Sequence, residues 1–76
     1  MKTIENTPTL KYVRDVEQGD TIRMLNGEPA KVVSITVMRI GDLEYAIVKA
    51  YYISDGSPIT NRFKTDSTVE VFHHGK

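Results

Sequence analysis

The sequence of 76 residues contains no cysteine and no tryptophan, and its hydrophobic stretches are short. Without cysteine, neither a disulfide nor a thiolate metal site can hold the fold together, so stability has to come from one compact core or from association of chains. There is no charged-then-apolar leader and no run of about 18 apolar residues. The sequence therefore predicts a soluble protein, and the absence of cysteine agrees with the cytoplasm.

An excess of charge of either sign is also missing. Ten Lys and Arg balance ten Asp and Glu, and the sequence pI is about 6.7. The overall composition therefore does not indicate a strongly basic nucleic-acid binder, and attraction for a charged partner has to come from local segregation of charge. A chain of this length is expected to form one domain. We expect a flexible N-terminal arm at 1–9 and a single domain at 10–76.

Strands are favoured throughout the middle of the chain, where Val, Ile, Thr and Tyr dominate and helical periodicity is poor. The turn signals are Gly19-Asp20, Asn26-Gly27 (a type I′ turn), Gly41-Asp42 (a type II′ turn), Asp55-Gly56 and Asp66-Ser67. They predict strands at about 20–25, 29–40, 43–53, 58–64 and 68–72, with an extended segment at 10–16 packed alongside. Turns at this spacing indicate an antiparallel meander.

The turns also fix which residues face each other across the strands. A two-residue turn at Gly41-Asp42 aligns Val33 with Ala50, and a two-residue turn at Asp55-Gly56 aligns Phe63 with Val48. The turns agree on one apolar face, which we predict to be the core. Its members are Ile22, Met24, Val33, Ile35, Val37, Ala46, Val48, Ala50, Phe63, Val69 and Val71.

The order of these signals resembles that of SH3-like small β-barrels. The opening is VEQGDTI at 16–22, NG at 26–27 and KVVSI at 31–35, and the ending runs from Phe63 through TDSTVEV at 65–71. The resemblance implies an all-β fold, a five-stranded antiparallel SH3-like small barrel with a flexible N-terminal arm. It does not extend to proline-peptide or ribosome binding, because the aromatic cluster of SH3 signalling domains and a clear KOW motif are absent. In length and style the chain is also similar to short accessory proteins encoded by bacteriophages.

The opposite face of the predicted sheet is the candidate binding surface. It mixes apolar and aromatic residues with cations, whereas an ordinary solvent face is more uniformly polar. The predicted pairing places Val32 beside Tyr51 and Lys49 opposite Arg62, and the repulsion between the two cations would be relieved by a negatively charged partner. The predicted site residues are Val32, Met38, Tyr45, Ile47, Lys49, Tyr51, Arg62 and Lys64.

This face supports two kinds of partner, and a third outcome is that the curl of the sheet or the arm covers it. In the preferred interpretation, its apolar residues form the centre of a protein interface with the cations as a polar rim. The chain is then a non-catalytic protein-binding or adaptor module, with a homodimer and a phage-type accessory or inhibitor protein included. The alternative is single-stranded nucleic-acid binding, in which the tyrosines stack on bases and the cations meet phosphates.

Catalytic and metal-binding patterns are not found in the sequence. Most carboxylates lie at turns, where they bond to local backbone, and no serine lies in a nucleophile motif. His73 and His74 are adjacent, so on a strand they point to opposite faces, and no third ligand stands nearby. We therefore expect no enzyme activity, no cofactor, no metal, no small-molecule substrate and no membrane partner.

Overall fold

Six antiparallel strands form one sheet in the computed structural model, which describes residues 8–72. The strands are β1 (Thr9–Tyr12), β2 (Thr21–Arg23), β3 (Pro29–Ile40), β4 (Leu43–Tyr52), β5 (Pro58–Lys64) and β6 (Thr68–Phe72). Their order in the sheet is β1-β6-β2-β3-β4-β5, so β1 and β5 are the two edges and the sheet is not closed into a barrel. The part of the chain that is described contains no α-helix, which confirms the all-β prediction.

The predicted number of five strands is wrong because the segment before β2 adds a strand of its own. Thr9 of β1 pairs with Val71 of β6, and the chain then makes a 3-10 turn at Val13–Asp15. The N–H of Val13 donates to the carbonyl of Ser67 at 2.8 Å, and its side chain is only 1% exposed. Burial of Val13 thus fixes β1 against the sheet. Most of the predicted arm at 1–9 lies outside the described residues.

The turn between β2 and β3 has three residues, 25–27, and is not the predicted two-residue type I′ turn. The N–H of Met24 donates to the carbonyl of Glu28 at 2.9 Å and closes the loop. Gly27 has φ 91°, whereas Asn26 does not have a positive φ. This is the arrangement of a type I turn followed by a left-handed glycine. The Asn26 side chain accepts the N–H of Glu28 at 3.0 Å, which stabilises the turn.

The hairpin of β3 and β4 turns at Gly41-Asp42 with Ile40 opposite Leu43, as predicted. The predicted register holds as far as Ser34, where a β-bulge changes it. An extra residue, Val33, is inserted there, so Val32 rather than Val33 pairs with Ala50. The prediction that Val33 lies in the core is therefore wrong, since its side chain is 46% exposed.

The pairing of β4 with β5 is displaced by two residues from the prediction. Phe63 pairs with Ala46 and not with Val48. The cause is a longer loop, because the N–H of Tyr52 donates to the carbonyl of Ser57 at 2.9 Å and leaves four residues, 53–56, between them. Since side chains alternate with a period of two, this displacement changes the neighbours of each residue but leaves its face unchanged.

The core lies on one face of the curved sheet. Most of the predicted core residues are buried there, and Ile35 is partly buried against them. Val37 is an exception at 55% exposure, because β2 pairs only with Pro29–Lys31 and the second half of β3 extends beyond it. The buried apolar residues are Val13, Val16, Ile22, Met24, Ala30, Val32, Ala46, Val48, Ala50, Phe63, Val69 and Val71.

Candidate binding face

The candidate site is the side of β3, β4 and β5 that points away from the core, which we call the outer face. Cross-strand pairing arranges its residues in rows of three, one from each strand. From the tip of the β3–β4 hairpin inward, the rows are Met38–Tyr45–Lys64, Thr36–Ile47–Arg62, Ser34–Lys49–Thr60 and Lys31–Tyr51–Pro58. No described element covers these rows, and Lys49, Arg62 and Lys64 are all exposed.

Seven of the eight predicted site residues lie on the outer face, and Val32 does not. Val32 is 2% exposed and belongs to the core, so its assignment to the binding surface is wrong. The bulge at Val33 is the physical reason, because one inserted residue exchanges the two faces of the strand beyond it. Lys31 takes the position beside Tyr51 that the sequence assigned to Val32.

The outer face collects positive charge although the whole chain is neutral. Each of its four rows carries one cation, namely Lys64, Arg62, Lys49 and Lys31 in turn. Successive rows are two residues apart along β4 and β5, or about 6.8 Å. The cations move from β5 through β4 to β3 as the rows proceed, so they form a diagonal line across the sheet, which we call the cation line. None of the four rows contains an acidic residue.

The predicted opposition of Lys49 and Arg62 is wrong. Lys49 lies opposite Thr60, and Arg62 lies opposite Ile47, because the β4–β5 register is displaced by two residues. The cations are therefore spread over separate rows. Among residues 8–72, no carboxylate oxygen lies within ion-pair distance of any member of the cation line.

The acidic residues that do form ion pairs pair with cations elsewhere. Lys11 of β1 contacts Asp20 at 3.1 Å. Arg23 contacts Glu70 through its Nε. At the hairpin tip, Arg39 approaches Glu44 at 3.5 Å on the side that faces the core. The ion pairs found among residues 8–72 therefore lie away from the outer face, and they leave its four cations without a carboxylate partner.

The two tyrosines of the outer face differ in their accessibility. The guanidinium of Arg62 lies over the ring of Tyr45, 4.9 Å from its centroid, so one side of that ring is already occupied. Tyr51 is 39% exposed, and no cation of the described chain lies over it. Tyr51 is therefore the ring that is better placed to stack on a planar ligand.

An exposed apolar patch adjoins the cation line at the tip of the hairpin. Ile40 and Leu43 pair with each other and are 53% and 46% exposed, and Met38 in the next row is 40% exposed. We call these three residues the apolar tip. Met38 is among the site residues predicted from the sequence, whereas Ile40 and Leu43 are not. Counting in steps of two residues along the strands from the Gly41-Asp42 turn also places Ile40 and Leu43 on the outer face.

The carboxyl group of Asp55, in the loop between β4 and β5, has a pKa that its hydrogen bonds lower. The N–H of Ser57 donates to Asp55 Oδ1 at 2.9 Å, and the Ser57 hydroxyl donates to the same oxygen at 2.7 Å. The backbone donor, followed by the hydroxyl, holds the pKa of Asp55 below its usual value of 3.8. These bonds order the β4–β5 loop at the end of the sheet, beyond the row of Tyr51.

Residues 8–72 contain no cluster of three or more His, Cys, Asp or Glu side chains arranged to hold a metal ion. His73 and His74 lie outside the described residues. In the same part of the chain, no helix has the length and apolar character needed to cross a membrane.

No protein-family model and no curated protein matches this chain. Among solved structures, the fold is similar to that of a translation initiation factor eif-5a family protein from Naegleria fowleri, with a TM-score of 0.80 and 14% sequence identity. The match covers 90% of this chain and 49% of the other, so this chain spans about half the length of that protein. At this identity the likeness shows the fold alone. It agrees with a generic resemblance to small β-barrel domains.

Proposed function

We propose that this chain is a non-catalytic binding module and that its outer face binds single-stranded nucleic acid. The observation that carries the proposal is the cation line of Lys31, Lys49, Arg62 and Lys64, which has no acidic residue in its rows. Composition alone favoured a protein partner because the net charge is zero. The segregation of charge onto one face, together with the burial of Val32, favours a polyanion instead.

The proposed mechanism combines phosphate contacts with stacking. Cations in successive rows follow the backbone of an extended strand, and each phosphate that they neutralise releases counterions. Tyr51 lies in the same row as Lys31 and beside the row of Lys49, so a base can stack there while neighbouring phosphates meet the cations. Stacking of one base contributes about 1–3 kcal/mol and tolerates any sequence. We therefore expect binding with little sequence preference.

The test is a backbone amide NMR titration with a short single-stranded oligonucleotide at low salt. We expect shifts at β3 to β5, strongest near Lys49, Tyr51 and Arg62, and we expect added salt to reverse them. The matched control is the same sequence as a duplex, which offers no unstacked bases for Tyr51. Shifts confined to β1 and β6, or no shifts at all, would show that the outer face is not the nucleic-acid site.

A protein partner is the second candidate, and the apolar tip is the observation that favours it. Met38, Ile40 and Leu43 expose a contiguous apolar surface beside charged residues, which is the composition of an interface centre with a polar rim. This form of the proposal includes an adaptor or a phage-type inhibitor. Leu43→Asp would weaken a protein contact made by the apolar tip. Arg62→Glu would weaken nucleic-acid binding far more than it would weaken that protein contact. The two substitutions together separate the candidates.

We also propose that the sheet is an SH3-like barrel opened on one side. The support is its topology: β2 to β5 form a meander, and β6 returns to pair with β2. The Gly19-Asp20 turn before β2 and the short turn at 65–67 before β6 occupy the places that the sequence resemblance implies. In this interpretation β1 is an addition to the five strands of the barrel.

A further inference from the structure

The second half of β3 has an edge that no described strand occupies. β2 pairs with Pro29–Lys31, and the backbone contact continues for one more residue. There the N–H of Val32 donates to the carbonyl of Asp20 at 2.8 Å, and the N–H of Gly19 donates to the carbonyl of Val32 at 2.9 Å. From Val33 to Ile40, only the side of β3 that faces β4 is paired within residues 8–72.

The direction of the backbone N–H and C=O groups along this free edge follows from the register that the Gly41-Asp42 turn sets. Ile40 and Leu43 flank a two-residue turn and exchange its closing hydrogen bonds, and every second residue before Ile40 bonds to β4 in the same way. The residues between them, namely Ile35, Val37 and Arg39, therefore direct their N–H and C=O groups toward the free edge. Such a row of unpaired groups is a template for another strand.

The other two exposed edges of the sheet carry charges or a proline along their length, whereas on the free edge of β3 the bulge at Val33 and the charge of Arg39 lie only near the two ends. β5 has Pro58, Arg62 and Lys64, and β1 has Lys11. Between the bulge at Val33 and Arg39, β3 contains no charge and no proline. Charges, prolines and bulges are the usual protection of sheet edges. Of these edges, that of β3 is thus the one best suited to pair with another chain.

We propose that a second copy of this chain pairs antiparallel with the free edge of β3, about a two-fold axis at Thr36. This register sets Ile35 of one chain opposite Val37 of the other, and the symmetry repeats the pair. Both residues direct their backbone groups outward, so they form a hydrogen-bonded pair. Arg39 then lies opposite Val33, and no like charges meet. The edge is therefore complementary to itself, which a two-fold interface requires.

A second copy on this edge would also bury Val37, which favours a second copy as the occupant. Val37 is 55% exposed on the core side of the sheet, where the neighbouring Ile35 is partly buried. In the paired dimer, each Val37 packs beside the Ile35 of the other chain and loses water contact. The two outer faces then lie side by side on one surface. This inference does not rest on the proposed function, because it requires no oligonucleotide.

The first test is the molecular mass across a concentration series, with amide hydrogen exchange at both ends of the series. We expect the mass to rise from 8.6 kDa toward twice that value. We also expect the amides of Ile35 and Val37 to become protected in the concentrated sample. The amides of Thr60 and Arg62, on the free edge of β5, are the matched control and stay unprotected. A constant 8.6 kDa mass, or a dimer without protection at Ile35 and Val37, would overturn the proposal.

A pair of substitutions provides the second test. Val37→Lys places a charge in the interface and should weaken self-association at least tenfold. Leu25→Lys makes a similar apolar-to-charged change at a residue that is 68% exposed and lies in the β2–β3 turn, outside the proposed strand pairing, and it should leave self-association unchanged. Equal effects of both substitutions would contradict the edge assignment. If Val37→Lys unfolds the chain, the exchange measurement on the unaltered protein still decides the question.

Discussion

Val32 pairs with Ala50 across β3 and β4, and the two side chains are 2% and 4% exposed on the core side of the sheet. Counting back from the Gly41-Asp42 turn places Val33 in this position instead. The bulge inserts Val33 and turns it outward, so two adjacent valines of the same size occupy opposite environments. This contrast allows the register of β3 to be tested by making the same substitution at each of the two valines.

We predict that Val32→Ala lowers the free energy of unfolding by about 2 kcal/mol, because it removes buried methyl groups and leaves a cavity. Val33→Ala should change it by less than about 0.5 kcal/mol, since the side chain is 46% exposed. Urea denaturation of the two variants measures both values. A larger loss for Val33→Ala would place the bulge elsewhere in β3.

The success and failure of the sequence prediction have a common physical origin. The period of two fixed the core face, because a two-residue turn at Gly41-Asp42 propagates its register along both strands. An inserted residue such as Val33 breaks that count, and nothing in a run of Val, Val, Ser and Ile marks where the insertion falls. The loops at 25–27 and 53–56 misled the count in the same way, because Asn-Gly and Asp-Gly pairs also occur in longer loops.

The candidate site was predictable to the same extent. Residues of β4 and β5, such as Lys49 and Arg62, were assigned to the correct face because displacement by two residues preserves it. The absence of acid from that face follows from the sequence, because Glu44 is the one acidic residue within β3, β4 and β5 and the Gly41-Asp42 turn places it on the core side with Arg39. The ion pairs of Asp20 and Glu70 could not be predicted, because they join residues that are distant in sequence.

The bonds from Ser57 to Asp55 predict a pH-dependent loop. Because they lower the pKa of Asp55 in the folded protein, their stabilisation is present above the usual value of 3.8 and is lost as the pH falls through the lowered pKa. The chemical shift of the Ser57 amide should therefore titrate with a midpoint below 3.8. Ser57→Ala removes the hydroxyl donor and should move the midpoint upward. A midpoint at or above 3.8 in the unaltered protein would contradict the bonding.

Neutralising one member of the cation line should reduce the salt dependence of oligonucleotide binding. For Lys49→Gln, we expect the slope of log K against log salt to fall by about 0.7, the value for one phosphate contact on a single strand. Lys11→Gln is the matched control, because it removes the same charge from β1, where Lys11 contacts Asp20. Fluorescence anisotropy at several salt concentrations measures both slopes. Equal slopes for the two variants would mean that binding responds to net charge and not to the outer face.

Replacement of Tyr51 separates stacking from charge. Tyr51→Ala should weaken binding of a single-stranded oligonucleotide by about 1–3 kcal/mol, the contribution of one stacked base, and should leave the salt slope unchanged. Tyr12→Ala is the control, because Tyr12 has a comparable exposure of 49% but lies on β1, where its ring contacts Arg14. The same anisotropy titration gives both affinities. If Tyr51→Ala binds as tightly as the unaltered chain, the outer face holds its ligand through charge alone, and the stacking role of Tyr51 is wrong.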